Sequence, residues 1–241
     1  MRTAAILPVK RFTLAKQRLG ASVAEPLRLQ LARAMVEDVL AALAETGSSE
    51  ITIVVTREES IAEAAAAQGS IVIDDVTDAG QSAAAELGIA RALAQGIERV
   101  LCVPGDCPTL DPEELGDLLE PAGGQQADRA GAKREVVIVP DRHGTGTNGL
   151  LLSPPDAISP SFGPGSFERH RALALAAGLS CRVERPPSLL LDVDTGADLA
   201  ALRARLTADR RGDRPARAAR TRAVLARGGD GVDAIPLTTS A

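Results

Sequence analysis

The sequence has no Tyr, no Trp and three Phe in 241 residues. Its core must therefore be built from Ala, Leu, Val and Ile. Stacking platforms for single-stranded nucleic acid, which need aromatic faces, are disfavoured. Cysteine is equally scarce: Cys102, Cys107 and Cys181 make neither a disulfide framework nor a CxxC metal pair. Cys102 reads as core, and Cys107 has no evident role. His143 and His170 are the two histidines. Neither stands in a Ser-His-Asp or Cys-His order, and both read as structural or exposed. No apolar run approaches the ~18–20 residues that a membrane-spanning helix needs. The N-terminal MRTAAILPVKRF reaches Lys10 after a short apolar stretch and lacks a secretory h-region or cleavage site. The expectation is a cytoplasmic protein that engages no membrane.

Hydrophobic residues are 45% of the chain and charged residues 24%, the balance of a soluble globular protein. The net charge of -5 is uneven. Residues 207–241 hold seven Arg against four Asp, +3, which leaves -8 over residues 1–206. An acidic body argues against nucleic-acid binding. The expected organisation is one domain over 1–206. An Arg/Gly-rich tail follows over 207–241, mostly disordered, with a short helix around 216–226.

Short apolar runs alternate with helical periodicity along the body. Strands are expected at 3–7, 51–55, 71–73, 100–103, 136–139, 149–152 and 189–191. Helices are expected at 26–43, 58–68, 81–95, 111–119, 167–177 and 197–206. Pro26 and Pro112 suit first helical positions, and Asp111 suits a cap. The strands are continuously apolar, as in a largely parallel sheet covered on both faces. This is an α/β fold in three layers, α/β/α, around a mostly parallel twisted sheet.

Ligands of such sheets bind beyond the carboxyl ends of the strands. Val103-Pro-Gly-Asp-Cys-Pro-Thr-Leu110 delivers Asp106 to that edge, where a carboxylate suits Mg²⁺ or caps the turn. In Leu191-Asp-Val-Asp-Thr-Gly196, Asp192 and Asp194 share one face of extended backbone. Asp194 and Thr195 also suit a cap for the next helix, but capping explains one acid and not two. Together Asp106, Asp192 and Asp194 read as a site for one or two Mg²⁺ ions with a nucleotide triphosphate. Lys10, Lys16 and Arg18, after the first strand, supply cations for the phosphates and the leaving pyrophosphate.

Gly144-Thr-Gly-Thr-Asn-Gly149 matches GxGxxG, but a strand-like Leu150-Leu-Leu152 follows it instead of a helix, so it is no dinucleotide fingerprint. It reads as a loop able to hold an anionic substrate. Phe162-Gly-Pro-Gly-Ser166 leads into a helix and presents backbone N–H groups to a phosphate or carboxylate. The alternative is an ordinary Ser cap.

Taken together, LPVKRFTLAKQRL, VPGDCPTL, GTGTNGLLLSPP, FGPGSFERH and LDVDTGADL resemble the phospholactate/phosphoenolpyruvate guanylyltransferases of coenzyme F-420 biosynthesis. These lie within the GT-A-like nucleotidyltransferases (nucleotide-diphospho-sugar transferase fold). The resemblance spans residues 3–206. It implies transfer of GMP from GTP to the phosphate of a small phosphorylated carboxylic acid, with release of pyrophosphate. The acceptors it implies are phosphoenolpyruvate, 2-phospho-L-lactate or 3-phosphoglycerate. It assigns Mg²⁺, two ions with GTP, to Asp106, Asp192 and Asp194. Thr147, Gly163 and Ser166 would take the acceptor, and Lys10, Lys16 and Arg18 the GTP phosphates. A homodimer, and handover of an unstable product to the next enzyme of the pathway, are further expectations. Gly80-Gln-Ser82 departs from the Gly-Leu-Asn of the family pattern.

A substrate phosphate is already an anionic nucleophile, so this chemistry needs no general base, in keeping with the lack of a His or Cys catalyst. Other acceptors (a sugar phosphate or a molybdopterin), a GTP-binding module without turnover, and a partner-binding protein working through the Arg-rich tail are the competing readings.

Overall fold

The computed structural model describes residues 1–13, 16–120, 134–209 and 217–228. Among these, seven strands make one sheet: β1 Thr3–Val9, β2 Ile51–Thr56, β3 Ile71–Asp74, β4 Arg99–Cys102, β5 Glu135–Pro140, β6 Thr147–Ser153 and β7 Ser180–Val183. The helices are α1 Glu25–Glu45, α2 Glu59–Ala67, α3 Gln81–Ala94, α4 Pro112–Leu119, α5 Ser166–Ala176, α6 Gly196–Asp209 and α7 Ala219–Gly228. The strand order is β3-β2-β1-β4-β6-β5-β7. β1 lies parallel to β2 and β4, β2 to β3, and β5 to β7; β6 runs antiparallel to β4 and β5. No described helix is long and apolar enough to cross a membrane.

β1 is buried at every position, because side chains of a strand alternate between faces and both faces here are covered. Ala5, Leu7 and Val9 join Val36 and Val39 of α1, Ile61 of α2 and Leu115 of α4 in one core. Ala4 and Ile6 join Ala85 and Ile89 of α3 and Phe167 of α5 in the other. The three-layer architecture expected from the sequence is thus present. The approach of α3 to β1 is set by Gly88, where a Cβ would stand 2.5 Å from Ile6 Cγ2.

One strand is misplaced by sequence reasoning. Leu189-Leu-Leu191 forms a turn; the last strand is β7, pairing with β5. Leu189 is fully buried because it fills the first core, and no strand pairing is involved. β7 is an edge strand, SCRV, exposed at three of its four positions, and so lacks the apolar run that marks a covered strand.

A third apolar cluster joins Leu31 and Met35 of α1, Leu199, Leu202 and Leu206 of α6, and Val224 of α7. Within the segment read as a tail, the short helix expected around 216–226 is present as α7, Ala219–Gly228, and it is packed, not solvated. The N-terminus of α7 has no polar side chain of its own in place, and Asp38 of α1 supplies one. It accepts from the N–H of Arg220 at 3.0 Å and of Thr221 at 2.8 Å, satisfying donors that a helix cannot satisfy internally. The expected disorder over 210–216 and 229–241 lies outside the described residues.

Gly88→Val places a Cβ and two methyls against Ile6. The overpacking is expected to lower unfolding free energy by about 1–3 kcal/mol, measured by urea denaturation. An unchanged midpoint would show that α3 can retreat from β1.

Candidate active site

A cavity of about 450 Å³ opens at the carboxyl ends of β1 and β4, where a parallel sheet presents its ligand site. One wall is the loop after β1, with Lys10, Phe12, Lys16, Gln17 and Arg18. Pro104, Gly105 and Asp106 after β4 form the floor, with Ala32 and Val36 of α1 behind. Gln81, Gly163, Pro164 and Asp194 complete the rim. The β1 loop is fixed at Phe12: its ring is buried, its N–H donates to Glu58 Oε1 at 2.6 Å, and its carbonyl accepts from Arg28 at 3.2 Å.

Beyond that anchor, Lys16 adopts the left-handed conformation, φ 56°, uncommon for a residue with a Cβ. It carries the ammonium inward. Lys16 Nζ donates to Asp106 Oδ2 and to Asp194 Oδ1 at 2.7 Å. Its side chain is 9% exposed. Burial alone would lower its pKa, but the two carboxylates outweigh that and hold it above its ordinary value. Arg18, exposed, reaches Asp194 Oδ2 at 3.3 Å.

The carboxylates are brought together by two loops joined edge to edge. Val193 N–H donates to the Asp106 carbonyl at 3.1 Å. Asp192 accepts from Asn148 Nδ2 at 3.1 Å. Burial, then the neighbouring Asp106, raises its carboxyl above the usual range. Asp106 Oδ1 is buried without a partner. Of the capping alternatives, only that for Thr195 holds. α4 is capped by Asp111, which accepts from Glu113 N–H at 2.9 Å. At α6, Thr195 and Asp198 form a reciprocal capping pair: Asp198 Oδ2 accepts from Thr195 N–H at 2.7 Å and Thr195 Oγ1 accepts from Asp198 N–H at 3.3 Å. Asp106 and Asp194 are left to face Lys16. Among the described residues no three His, Cys, Asp or Glu side chains form a ready-made metal cage.

Of the acceptor candidates, one sits at the rim and two lie behind it. Gly163 lines the cavity and its φ of +106° suits glycine. Ser166 is buried and is the first residue of α5; the residue before it, Gly165, holds the cap position, so the Ser-cap alternative falls. Thr147 is buried and pairs through Oγ1 with His170 Nδ1 at 3.0 Å. Neither Thr147 nor Ser166 lines the cavity itself. His170 Nε2 accepts from Ser161 N–H at 2.8 Å, so a neutral ring must carry its proton on Nδ1 and donate to Thr147. His170 is structural, as its sequence context suggested. Cys107 is buried, with its thiol pushed well up by burial and then by Asp106, and does not act as a nucleophile.

Of the nine residues singled out in the sequence, Lys10, Lys16, Arg18, Asp106, Asp194 and Gly163 line one cavity. Asp192, Thr147 and Ser166 stand behind it. Missed were Gln81, Asn148, Phe12 and the anchoring pair Arg28 and Glu58. Gln81 alone had a signal, its place at the start of a helix after a parallel strand.

A family model described as "Guanylyl transferase CofC like" matches residues 3–205. The phosphoenolpyruvate guanylyltransferase of Conexibacter woesei is 48% identical over 225 residues, 93% of this chain and 96% of its own. The 2-phospho-L-lactate guanylyltransferase of Methanothermobacter thermautotrophicus is 34% identical, over 83% of each chain. A solved structure described as a nucleotide-diphospho-sugar transferase from Desulfovibrio desulfuricans is similar with a TM-score of 0.70 at 18% identity, over 95% of this chain and 96% of its own. A nucleotidyl transferase from Methanothermobacter gives 0.57 at 19%, over 86% and 99%. These two establish the likeness of fold.

Burial, then the charge of Arg169, pushes the His170 imidazole down to about 4. An unfolded chain protonates it near ~6.5. Between these values the unfolded state binds the extra proton. The stability is therefore complete above ~6.5 and is lost as pH falls toward ~4, by up to about 3 kcal/mol. Urea unfolding at pH 7 and pH 4.5 should show a larger acid loss in the wild type than in His170→Asn. Equal losses would refute the buried neutral ring.

Proposed function

Because the chain belongs to the CofC-like guanylyl transferase family, we propose that it transfers GMP from GTP to the phosphate of phosphoenolpyruvate or 2-phospho-L-lactate, a step of coenzyme F-420 biosynthesis. As a member of that family it is a nucleotidyltransferase. The observation that carries the site assignment is Lys16 Nζ between Asp106 and Asp194 at the cavity floor. It places cationic and anionic groups where a triphosphate and its counter-ions would meet. The 48% identity to a phosphoenolpyruvate guanylyltransferase supports phosphoenolpyruvate as the first acceptor to test. The family match ends at residue 205, which supports assigning the chemistry to 1–206, with α7 packed on that unit through α1 and α6.

In this reading an oxygen of the acceptor phosphate attacks the α-phosphorus of GTP. A new O–P bond forms, the bond to the bridging oxygen breaks, and pyrophosphate leaves with the electron pair. The nucleophile is already ionised, so the protein withdraws no proton. Its work is to align two anions and neutralise them. Lys10 and Arg18 at the rim and Lys16 at the floor meet the triphosphate. Gly163, just before α5, meets the acceptor at the rim, and the buried Ser166 and Thr147 support that wall from behind.

The residues also fit Mg²⁺. Asp106 Oδ1 is a buried anionic oxygen with no partner. Asp192 is held above its usual pKa by burial and by Asp106, so the pair is short of positive charge. Asp106, Asp192 and Asp194 would hold the metal. When bound, Mg²⁺ would supply further neutralisation of the triphosphate and the leaving pyrophosphate.

Pyrophosphate release with Mg²⁺ and GTP is expected with one of phosphoenolpyruvate, 2-phospho-L-lactate or 3-phosphoglycerate, and not with ATP or without acceptor. Silence with all three, in protein that still binds GTP, would favour another acceptor or a binding module. Asp106→Asn and Asp192→Asn are each expected to cut turnover by about 10²–10³, the usual cost of removing a strong electrostatic stabiliser. Near-normal rates in both would overturn the metal assignment.

A further inference from the structure

The loop 161–165 is held from one side by a residue outside the mechanism described above. Arg169, on the first turns of α5, donates from Nε to Ser161 Oγ at 3.0 Å. Its other nitrogens reach three backbone carbonyls: Pro164 at 2.5 Å, Ser161 at 2.9 Å and Phe162 at 3.2 Å. The fixed fork of a guanidinium can gather several acceptors in this way, and an ammonium cannot. Two further contacts hold the same loop. Ser161 N–H donates to His170 Nε2, and Phe162 N–H donates to Ser82 Oγ at 2.9 Å.

These bonds fix the direction of the remaining N–H groups. The peptide bonds of this loop are trans. In a planar trans peptide the N–H points opposite to the C=O of the same unit. With the Phe162 carbonyl on the guanidinium, the Gly163 N–H points away from it. With the Pro164 carbonyl there, so does the Gly165 N–H. Among the described residues neither N–H has a hydrogen-bond acceptor, whereas Ser166 N–H is used internally, by the Gly163 carbonyl at 3.0 Å. Gly163 and Pro164 line the cavity; Gly165, directly after them, and Arg169 do not. The carbonyl side of the loop is on the guanidinium, and the free donors face the other way.

We propose that Arg169 is a positioning residue of the acceptor site: by gathering the carbonyls of Ser161, Phe162 and Pro164 it turns the N–H groups of Gly163 and Gly165 toward the acceptor's anion. This rests on the reading that Gly163 meets the acceptor. Arg169 itself touches no substrate. It removes three carbonyl dipoles that would repel an anion and leaves two donors that attract it. An Arg on the outer side of an anion loop thus acts through backbone geometry, not as the counter-charge.

The test compares wild type with Arg169→Ala and Arg169→Lys. Steady-state kinetics with phosphoenolpyruvate should show the acceptor KM raised about tenfold or more in both variants, as expected for loss of one or two hydrogen bonds to a charged group. The KM for GTP should stay within about twofold of wild type on the same reasoning. Lysine keeps the charge but not the fork, so it should fail as alanine does. Free guanidinium at a non-denaturing concentration should restore acceptor KM in Arg169→Ala and not in Arg169→Lys. If Arg169→Ala does not fold, Arg169→Lys carries the same test.

A second readout is independent of turnover. In protein labelled with [¹⁵N]glycine, the Gly163 and Gly165 amide signals should shift on titration with phosphoenolpyruvate, 2-phospho-L-lactate or 3-phosphoglycerate in the wild type and not in the variants. Equal changes in both KM values, an unchanged acceptor KM, or wild-type amides that respond to none of the three acids would overturn the proposal. If the amides respond but no pyrophosphate is released, the transferase reading fails. The role of Arg169 is then decided by whether its replacement abolishes the response.

Discussion

Three aspartates at the edge of one sheet must be kept from repelling one another, and much of the site follows from how this is done. Asp106 arrives from the loop after β4, and Asp192 and Asp194 from the segment before α6. The Val193 to Asp106 backbone bond holds the two loops side by side. Lys16 neutralises Asp106 and Asp194 from the third side. A carboxylate buried without a cation would cost several kcal/mol. The arrangement therefore demands the inward, left-handed turn of the β1 loop, and that turn demands the anchor at Phe12. The loop that carries the cations is shaped by the anions it meets.

The wall proposed for the acceptor is organised on a different principle. Its contribution is backbone, not side-chain charge. Two glycines in positive φ supply an open turn. His170 and Arg169, adjacent in sequence, both hold the loop: His170 Nε2 accepts from the Ser161 N–H, and Arg169 donates to three carbonyls. Thr147 is drawn into the same network through His170. One face of the cavity is thus built of mobile-charge chemistry and the other of fixed peptide dipoles, which suits a reaction that brings two anions together and needs no proton removed.

The fold was legible because its strands are covered on both faces. A run such as Ile51–Thr56 has no polar position to confuse the pattern. The edge strand β7 was not legible: SCRV is exposed at three of its four positions, and its pairing to β5 depends on residues far away in sequence. The buried run Leu189-Leu-Leu191 was read as a strand for the converse reason, since apolar character reports burial and not pairing. α7 was visible as a short helix, but its packing onto α1 was not. Its cap, Asp38, lies some 180 positions earlier in the chain.

The sequence by itself determined the residue types of the site and the order in which the sheet brings them to one edge, because short motifs after parallel strands have a defined destination. Lys10, Lys16, Arg18, Asp106 and Asp194 were read from such motifs, and the structure brings them to one cavity with Asp192 behind it. Only the tertiary structure decided which charges pair, which acids cap helices and which carbonyls Arg169 collects. These are distances between loops that share no local pattern, and they are set by the packing of α1, α3 and α5 against the sheet.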